Sequence, residues 1–256
     1  MSLFALNDRV AIITGAGSGI GRATAVLFAE QGAKVVVSDI ADTAEETVAH
    51  IAEAGGEAFA AIGDISDPTV AAQLVDRATE TYGRVDILVN NAGIMDNFAG
   101  AADLDDAVLD RVLRVNTLAP LYFTRAVLPG MRERGSGAIV NVASAAGIRG
   151  AAAGAAYTMS KHAIIGLTKN TAYTYAHDGV RTNAIAPGGV ATNVMTPELQ
   201  KSIHGPSMER ITPVHQSAVR NAEPEEQAAA ILFLASDAAS DVNGVVLPTD
   251  GGWAAG

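Results

Sequence analysis

The stretch Val10-Ala-Ile-Ile-Thr-Gly-Ala-Gly-Ser-Gly-Ile-Gly21 indicates how the chain begins to fold. Its first four residues are apolar and predict a short buried strand, and residues 22–31 after it predict a helix. Between them, Gly15, Gly19 and Gly21 let the backbone turn sharply and approach a pyrophosphate, to which the helix N-terminus would offer N–H donors. A simple tight turn would not need glycine at all three of these positions, so we predict a phosphate-binding turn between strand and helix.

The alternation of strand and helix continues along the chain. Further strands are predicted at residues 34–39, 57–62, 86–90, 137–144, 180–186 and 244–248. Helices are predicted at residues 41–54, 67–82, 104–134, 155–177 and 223–234, with Asp42 and Asp67 as N-caps and Pro120 as a kink. Such alternation indicates parallel strands joined by helical crossovers. We therefore predict one α/β domain over residues 1–256, with a doubly wound, seven-stranded parallel sheet and helices on both faces.

Composition limits the possible functions. The 256 residues carry a net charge of −11, which argues against nucleic acid or an anionic membrane as a partner. The absence of cysteine excludes disulfides, thiol nucleophiles and thiolate metal sites. No long apolar run predicts a membrane span or a secretory signal, and no donor spacing predicts a metal site. We therefore expect a cytoplasmic protein without a metal.

Two features give the chain a chemistry. Tyr157 and Lys161 are four residues apart on a predicted helix, so they share one face, and a neighbouring ammonium is expected to lower the pKa of the phenol. Alone, this spacing also fits a half-buried tyrosine beside a solvated lysine. Asp39 ends the second strand, 18 residues after Gly21, where a carboxylate can bind ribose hydroxyls and would repel a 2′-phosphate. Because Ser38, Ile40 and Ser18 are not basic, we predict NAD(H) rather than NADP(H).

Taken together, these motifs resemble the short-chain dehydrogenase/reductase family over residues 9–253. The resemblance rests on motifs that occur in the family's order and spacing: Thr14-Gly-Ala-Gly-Ser-Gly-Ile-Gly21, Asn90-Asn-Ala-Gly93, Asn116, Ser144, Tyr157 with Lys161, and Pro187-Gly188. The family resemblance implies a single-domain Rossmann fold. It also implies an NAD(H)-dependent oxidoreductase that interconverts a secondary alcohol and a ketone by hydride transfer.

The resemblance also implies roles for individual residues. Tyr157 would be the general acid or base, Ser144 would hydrogen-bond the substrate oxygen, and Asn116 would anchor a water that relays protons to Lys161. Lys161 would also hold the nicotinamide ribose, Asp64 and Ile65 the adenine, and Thr192 the carboxamide. In full, we predict cofactor contacts at Gly15, Ser18, Gly19, Ile20, Gly21, Asp39, Asp64, Ile65, Asn91, Ala92, Gly93, Tyr157, Lys161, Pro187, Gly188, Val190 and Thr192, with Asn90 also lining the cleft.

The substrate should bind where three segments meet at the carboxyl ends of the strands. Their small and Met side chains suggest an adaptable, mainly apolar pocket. The residues predicted to line it are Met95, Ala145, Ala146, Arg149, Gly189, Val194 and Met195. Residues 189–222 have the proline and glycine content of an insertion that closes as a lid. Arg149 could pair with an anionic substrate or be solvated, and the roles of His204 and His215 stay open, with ordinary loop histidines favoured.

Three functions compete at this stage. The leading one is the NAD(H)-dependent alcohol dehydrogenase or ketone reductase; the second is a 3-oxoacyl-[acyl-carrier-protein] reductase of the same family, which usually prefers NADPH. The third is a nucleotide-binding regulator without catalysis, which the intact set of Asn116, Ser144, Tyr157 and Lys161 argues against. The resemblance further implies a homotetramer, with residues 104–134 and 155–177 paired across a two-fold axis and the segment around Trp253 near a neighbour's pocket.

Overall fold

The computed structural model describes residues 3–256, and seven parallel strands form its sheet in the order β3-β2-β1-β4-β5-β6-β7. The strands are β1 Val10–Thr14, β2 Lys34–Asp39, β3 Glu57–Ile62, β4 Ile87–Asn90, β5 Gly137–Val142, β6 Val180–Pro187 and β7 Val246–Thr249. The predicted fold class is confirmed. The order reverses between β1 and β4, where doubly wound sheets open a crevice at the carboxyl ends of their strands.

The helices follow the predicted alternation. They are α1 Gly19–Glu30, α2 Thr43–Glu53, α3 Pro68–Tyr82, α4 Asp106–Leu113, α5 Ala119–Arg134, α6 Ala155–Thr174, α7 Pro197–Ser202, α8 Gly205–Gln216 and α9 Pro224–Ala235. Most predicted ends lie within about three residues of the observed ones. The first helix begins at Gly19 rather than at residue 22, so two glycines of the turn lie inside its first turn.

Alternate residues of each strand supply a separate hydrophobic core on each face of the sheet. Ile13 and Val35 pack in a cluster with Phe28 of α1, whereas Ile12 packs in a second cluster with Phe123 of α5. Successive side chains of a strand point to opposite faces, which produces this division. Strands buried on both faces explain why β1 and β2 are continuous apolar runs.

Both predicted aspartates are at the N-cap positions of their helices, but only Asp67 caps its helix with its side chain. Asp67 accepts a hydrogen bond from the N–H of Thr69 at 2.8 Å, with Pro68 at the first helical position. Asp42 precedes α2 but makes no side-chain capping bond. Its φ of −63° and ψ of −13° are already helical, so its carboxylate is not turned back toward the first N–H groups as in a capping residue.

The predicted long helix over residues 104–134 is interrupted. Between α4 and α5, the segment Arg114–Leu118 is a π-helical turn. The predicted kink at Pro120 is thus displaced, because the irregular turn comes before the proline, which lies in the first turn of α5. A proline has no N–H, so the carbonyl of Asn116, four residues earlier, lacks its ordinary α-helical donor.

Residues 189–222 form two short helices, α7 and α8, beyond the end of β6. Neither helix contains a fully buried residue, which agrees with their prediction as a segment outside the core. Across residues 3–256, no helix combines the length and apolarity needed to span a membrane.

Candidate active site

The glycine turn has the shape predicted for a phosphate-binding turn. Gly15 and Gly19 have φ values of +66° and +50°, in the left-handed region that favours glycine. A Cβ on Gly21 would lie 2.1 Å from the carbonyl oxygen of Gly15, so no side chain fits there. Asn91, in the loop after β4, donates its side-chain amide to the carbonyls of Thr14 and Gly15 at 2.8 and 3.2 Å. The turn is therefore fixed against the far side of the crevice.

The start of α1 offers backbone donors rather than side chains to an anion. Ser18 precedes the helix, is exposed, and makes no side-chain capping bond. Ile20, also predicted to contact the cofactor, packs against the hydrophobic core. Its contribution to a bound pyrophosphate would come from its N–H at the positive end of the helix dipole.

Asp39 lies beside the glycine turn, as predicted. Its carboxylate accepts hydrogen bonds from the N–H groups of Gly17 at 2.8 Å and Ala41 at 3.1 Å. None of the ion pairs within residues 3–256 involves Asp39. The nearby basic residue Arg22 is committed to Glu46 at 2.9 Å and to Thr47 at 3.0 Å, in contacts that join α1 to α2.

The two residues predicted to contact the adenine, Asp64 and Ile65, differ in exposure. Asp64 is exposed, and its carboxylate accepts the N–H of Ser66 at 2.9 Å. The side chain of Ile65 is only 8% exposed and packs in the core, so only its backbone is available to a nucleotide. Ile40, which follows Asp39, is 69% exposed and offers the apolar surface that an adenine ring would cover.

The loop after β4 lines the crevice with Ala92 and Gly93 but not with Asn90. The Ala92 N–H donates to the Thr14 hydroxyl at 3.1 Å, and a Cβ on Gly93 would lie 3.3 Å from the Lys161 ammonium. The prediction for Asn90 is wrong: its side chain is 4% exposed and bonded to Asn141 at 2.8 Å inside the protein. Asn90 is the last residue of β4. Its side chain belongs to a buried hydrogen-bond network with Asn141 and Thr168.

Tyr157, Lys161 and Ser144 meet at the predicted centre. Lys161 is 3% exposed, its ammonium donates to the Val142 carbonyl at 2.9 Å, and it lies 5.3 Å from the centre of the Tyr157 ring. Ser144 lies two residues after the end of β5, directly before a short 3-10 turn, and its hydroxyl accepts the Ala146 N–H at 3.1 Å. The same hydroxyl lies close enough to the Tyr157 phenol to lower its pKa.

The electrostatics of this pair differ from the prediction. Burial raises the pKa of Tyr157 to about 12, although the Ser144 hydrogen bond lowers that pKa, and the Asp96 carboxylate raises it further. Burial also lowers the pKa of Lys161 to about 8. The expected lowering of the phenol pKa is therefore wrong for the protein alone, because desolvation of the phenolate outweighs the neighbouring groups. At neutral pH, the phenol holds its proton.

Asn116 lies in the π-helical turn, close to Lys161, but its side chain is fully engaged. The amide donates to the Ile94 carbonyl at 2.9 Å and to Ser160 at 3.2 Å, and its oxygen accepts the Ile94 N–H at 2.9 Å. Any water that Asn116 anchors would therefore bind its main-chain carbonyl, which Pro120 leaves without an α-helical donor.

The loop after β6 closes over the glycine turn. A Cβ on Gly19 would lie 3.0 Å from the Thr192 methyl group, and one on Gly188 would lie 2.9 Å from Asp250. Val190 pairs with Ala222 in an isolated parallel bridge. Pro187 and Gly188, at the end of β6, thus lie against the C-terminal segment, whereas Thr192 lies against the glycine turn.

The predicted substrate residues divide into available and engaged ones. Val194 is 40% exposed, and Met95 and Met195 are partly exposed, so all three can contact a ligand. Ala145 and Ala146 are buried in the short 3-10 turn after Ser144. Gly189 is exposed, but a Cβ there would lie 2.2 Å from the Asn221 side-chain oxygen, so no larger residue fits.

Arg149 is bound by the C-terminal segment of its own chain. Its guanidinium donates to the Trp253 carbonyl and lies 5.2 Å from the centre of the Trp253 ring. The Trp253 indole donates to the Val214 carbonyl at 2.8 Å and to the Ser217 hydroxyl at 3.0 Å, at the end of α8. Trp253 therefore packs within its own chain, and its predicted place near a neighbour's pocket stays a prediction.

The two histidines left open by the sequence hold α8 in place. His215 bonds to the Ala152 carbonyl through Nε2 at 2.9 Å and meets the Trp253 ring edge-on at 5.7 Å. The N–H of His204, at the other end of α8, donates to the Asn97 carbonyl at 2.9 Å. Within residues 3–256, no group of three or more His, Asp or Glu side chains could hold a metal ion.

Two contributions to the site escaped the sequence reasoning. Asp96 accepts three backbone N–H groups, one of them from Tyr157, and Trp253 fastens Arg149 to α8. Asp96 lies three residues after the Asn-Asn-Ala-Gly motif, and nothing in the sequence indicated its contact with Tyr157. Nothing local marks the pairing of Arg149 with Trp253, because 104 residues separate them.

The crevice fits a nicotinamide dinucleotide. The glycine turn leaves a cradle without side chains at the start of α1, and the Asp39 carboxylate and the Lys161 ammonium flank the two ends where riboses would lie. The Thr192 contact with Gly19 places a hydroxyl-bearing side chain beside the cradle. Each of these groups has the chemistry that phosphate, ribose or amide binding requires.

Comparison with known proteins agrees with this geometry. A family model described as Enoyl-(Acyl carrier protein) reductase matches residues 15–254. The 3beta-hydroxysteroid dehydrogenase 2 of Eggerthella lenta is 42% identical over 252 residues, covering 98% of this chain and 96% of that protein. The cis-4-hydroxycyclohexanecarboxylate dehydrogenase of Sinomonas cyclohexanicum is 41% identical over 251 residues, covering 98% of each.

A solved structure is similar over the full length of both chains. This protein from Beutenbergia cavernae, proposed to be an NAD(P)-dependent gluconate 5-dehydrogenase, was crystallised with NADP at low occupancy. It is 41% identical to this chain and superposes on it with a TM-score of 0.88. The named relatives are dehydrogenases that act on hydroxyl groups, and the chain belongs to the short-chain dehydrogenase/reductase family.

Proposed function

We propose that the protein is an NAD(H)-dependent oxidoreductase that interconverts a secondary alcohol and a ketone. The observation that carries this proposal is the meeting of the Tyr157 phenol, the Ser144 hydroxyl and the buried Lys161 ammonium beside the glycine-turn crevice. The dinucleotide supplies or accepts the hydride, and the protein supplies proton transfer, orientation and electrostatic stabilisation.

The three side chains divide the proton chemistry among them. In ketone reduction, the protonated Tyr157 would donate its phenol proton to the substrate oxygen, and Ser144 would hydrogen-bond the same oxygen as charge develops. In alcohol oxidation, the phenolate would accept the hydroxyl proton. Lys161 would bind the ribose hydroxyls and receive protons through a water on the Asn116 carbonyl.

Cofactor preference for NAD(H) rests on Asp39. Its carboxylate is partly exposed and without a basic partner, and Arg22 is held by Glu46 and Thr47. A 2′-phosphate would meet this negative charge, and among residues 3–256 Asp39 has no ion-pair partner that would offset it. The NADP in the Beutenbergia cavernae structure makes a direct comparison of NADH and NADPH the necessary test.

The substrate is proposed to be a cyclic secondary alcohol or its ketone that binds mainly through apolar contacts. Val194 and Ile148, from two of the segments predicted to meet at the substrate, are exposed apolar side chains, whereas Arg149 is bound by Trp253 and is not free for a carboxylate. The 3beta-hydroxysteroid and cis-4-hydroxycyclohexanecarboxylate dehydrogenases among the relatives support a ring-shaped substrate.

Residues 189–222 are proposed to be the substrate lid. α8 is joined to the body by His204 at one end and by His215 and Trp253 at the other. Because neither lid helix has a fully buried residue, few apolar contacts oppose its opening.

A homotetramer remains our proposal for the assembly. Helix α6 carries an exposed stripe in which Met159 is 53% and Tyr173 is 88% exposed. Gly166 lies between them, with nothing within 4 Å of the place of a Cβ, so a second helix could approach closely. A Tyr173→Asp variant is expected to dissociate in light scattering; an unchanged mass would remove this surface from the proposal.

A substrate panel tests the function directly. Cyclic and linear ketones are offered with NADH and with NADPH, and the corresponding alcohols with NAD and NADP, while absorbance of the reduced nicotinamide is followed. We expect turnover of cyclic substrates and a preference for NADH. Binding of NADH without turnover across the panel would favour a non-catalytic nucleotide-binding protein, and NADPH preference would favour the 3-oxoacyl reductase alternative.

A further inference from the structure

We propose that Asp96 is the positioning residue of Tyr157, because its buried carboxylate joins the first turn of α6 to the loop after β4. This inference rests on the proposed function of Tyr157. It assigns a role in the reaction to a side chain whose hydrogen bond to Tyr157 is made with the main-chain N–H of that residue and not with its phenol.

Asp96 replaces the missing N-cap of α6. The capping position is Gly154, which has no side chain to bind the free N–H groups of the first turn. Instead, Asp96 accepts the Gly154 N–H through Oδ1 at 3.2 Å and the Tyr157 N–H through Oδ2 at 2.9 Å. Oδ1 also accepts the Phe98 N–H at 3.0 Å. An ionised carboxylate only accepts hydrogen bonds, so three donors suit it.

The surrounding backbone leaves little freedom for another arrangement. Asp96 is 1% exposed, and a Cβ on Gly154 would lie 2.5 Å from its Oδ2. Phe98 has a φ of +63°, which non-glycine residues rarely adopt and which persists where surrounding contacts fix it. Ala155 donates to the Ala99 carbonyl at 2.9 Å and adds a second link. The start of α6 is therefore held in one position relative to the crevice.

The same carboxylate places a negative charge near the phenol. The titratable or charged groups that face Tyr157 are Lys161 on its own helix and Asp96 from the loop after β4, with the neutral Ser144 hydroxyl opposite. Burial raises the pKa of Tyr157 most, the Ser144 bond lowers it, and Asp96 raises it. Removal of the Asp96 charge should therefore move the phenol titration to lower pH.

The test is an ultraviolet difference titration of the tyrosinate in the full chain. Asp96→Asn keeps the shape but removes the charge, and subtraction of the Tyr157→Phe titration isolates the Tyr157 signal. We expect the signal to titrate at lower pH in Asp96→Asn than in the unmodified protein, and cyclohexanone reduction to fall about 100-fold through misplacement of the phenol. An unchanged titration would overturn the proposal, because a purely structural cap would not move it.

Asp105→Asn is the matched control. Asp105 also caps a helix, accepting the N–H groups of Ala107 at 2.8 Å and Val108 at 3.3 Å, but it is exposed. It should leave the Tyr157 titration in place. A shift of equal size in Asp105→Asn would show a nonspecific effect and count against Asp96.

A measurement on the unmodified protein covers the case in which Asp96→Asn does not fold. The Tyr157 N–H lies in the first helical turn and would exchange quickly without an acceptor. With selective 15N-tyrosine labelling, we expect slow amide exchange at Tyr157; fast exchange would contradict the bond to Asp96. The Tyr157→Phe variant separates the two proposals. Full turnover in Tyr157→Phe would contradict the proposed function. If Tyr157→Phe is inactive but the titration is unshifted in Asp96→Asn, only the inference about Asp96 is contradicted.

Discussion

Asp39→Ser should reverse much of the discrimination between NADH and NADPH. The carboxylate lies at the ribose end of the crevice, bonded to the N–H groups of Gly17 and Ala41 and without a basic partner among residues 3–256. A 2′-phosphate bound there would place a second negative charge within a few ångströms of it. NADP(H) would carry this penalty in the unmodified protein, and serine would remove it.

The magnitude follows from elementary electrostatics. At an effective dielectric constant of about 20, two unit charges about 4 Å apart repel by about 4 kcal/mol. Because Asp39 is only partly buried, we expect solvent and salt to reduce this to about 2 kcal/mol, or about 30-fold in affinity. Loss of the charge-assisted bonds to the ribose should weaken NADH about tenfold. The ratio of NADPH to NADH affinity should therefore rise about 300-fold.

The assay measures dissociation constants for NADH and NADPH by nicotinamide fluorescence, at low and at high salt. Asp42→Ser is the control, because Asp42 is an exposed aspartate three residues on that makes no capping bond. It removes the same charge without touching the ribose position. An affinity ratio that stays unchanged in Asp39→Ser, or that changes as much in Asp42→Ser, would refute the electrostatic reasoning.

Three further predictions concern other parts of the site. Burial raises the pKa of Tyr157 to about 12, and alcohol oxidation needs the phenolate. The rate of alcohol oxidation should therefore rise about tenfold per pH unit between pH ~6 and ~8, while the rate of ketone reduction stays level. Initial rates that depend equally on pH in both directions would contradict this. Gly21→Ala should abolish coenzyme binding and lower the free energy of unfolding by about 3 kcal/mol in denaturant titration, because its Cβ would lie 2.1 Å from the Gly15 oxygen. The control Gly63→Ala should be tolerated, because its Cβ would make an ordinary 3.7 Å contact with Val70. Trp253→Ala releases Arg149 and α8, so it should raise the KM for a cyclic ketone about tenfold and leave NADH affinity unchanged. Trp253→Phe should give a KM between those of the unmodified protein and Trp253→Ala. An unchanged KM in Trp253→Ala would argue against the lid contacts.

The features that sequence could predict are those encoded locally. The apolar runs of β1 and β2 need burial on both faces, and the strand, turn and helix around Gly15 to Gly21 follow from adjacent residues. Asp67 with Pro68 fixed the start of α3, because capping involves residues two or three apart. Tyr157 and Lys161 share a helical face for the same reason.

The features that sequence missed depend on contacts between distant segments. Asp42 has the residue type of an N-cap but a helical backbone, and Asn90 lies in a strand whose residues are all buried, so periodicity could not give its direction. The contacts of Asp96 with Gly154 and of Arg149 with Trp253 join parts of the chain that only the fold brings together. The raised pKa of Tyr157 likewise comes from burial, which the Tyr-x-x-x-Lys spacing does not report.

Tyr157→Phe tests the central claim most directly. The change removes one oxygen atom and keeps the ring beside Lys161, so the fold and the coenzyme crevice should persist. We predict that NADH binds with its dissociation constant nearly unchanged while hydride transfer, followed by nicotinamide absorbance with the best ketone of the panel, falls at least about 100-fold. Turnover in this variant at the rate of the unmodified enzyme would contradict the assignment of Tyr157 as the proton-transfer group.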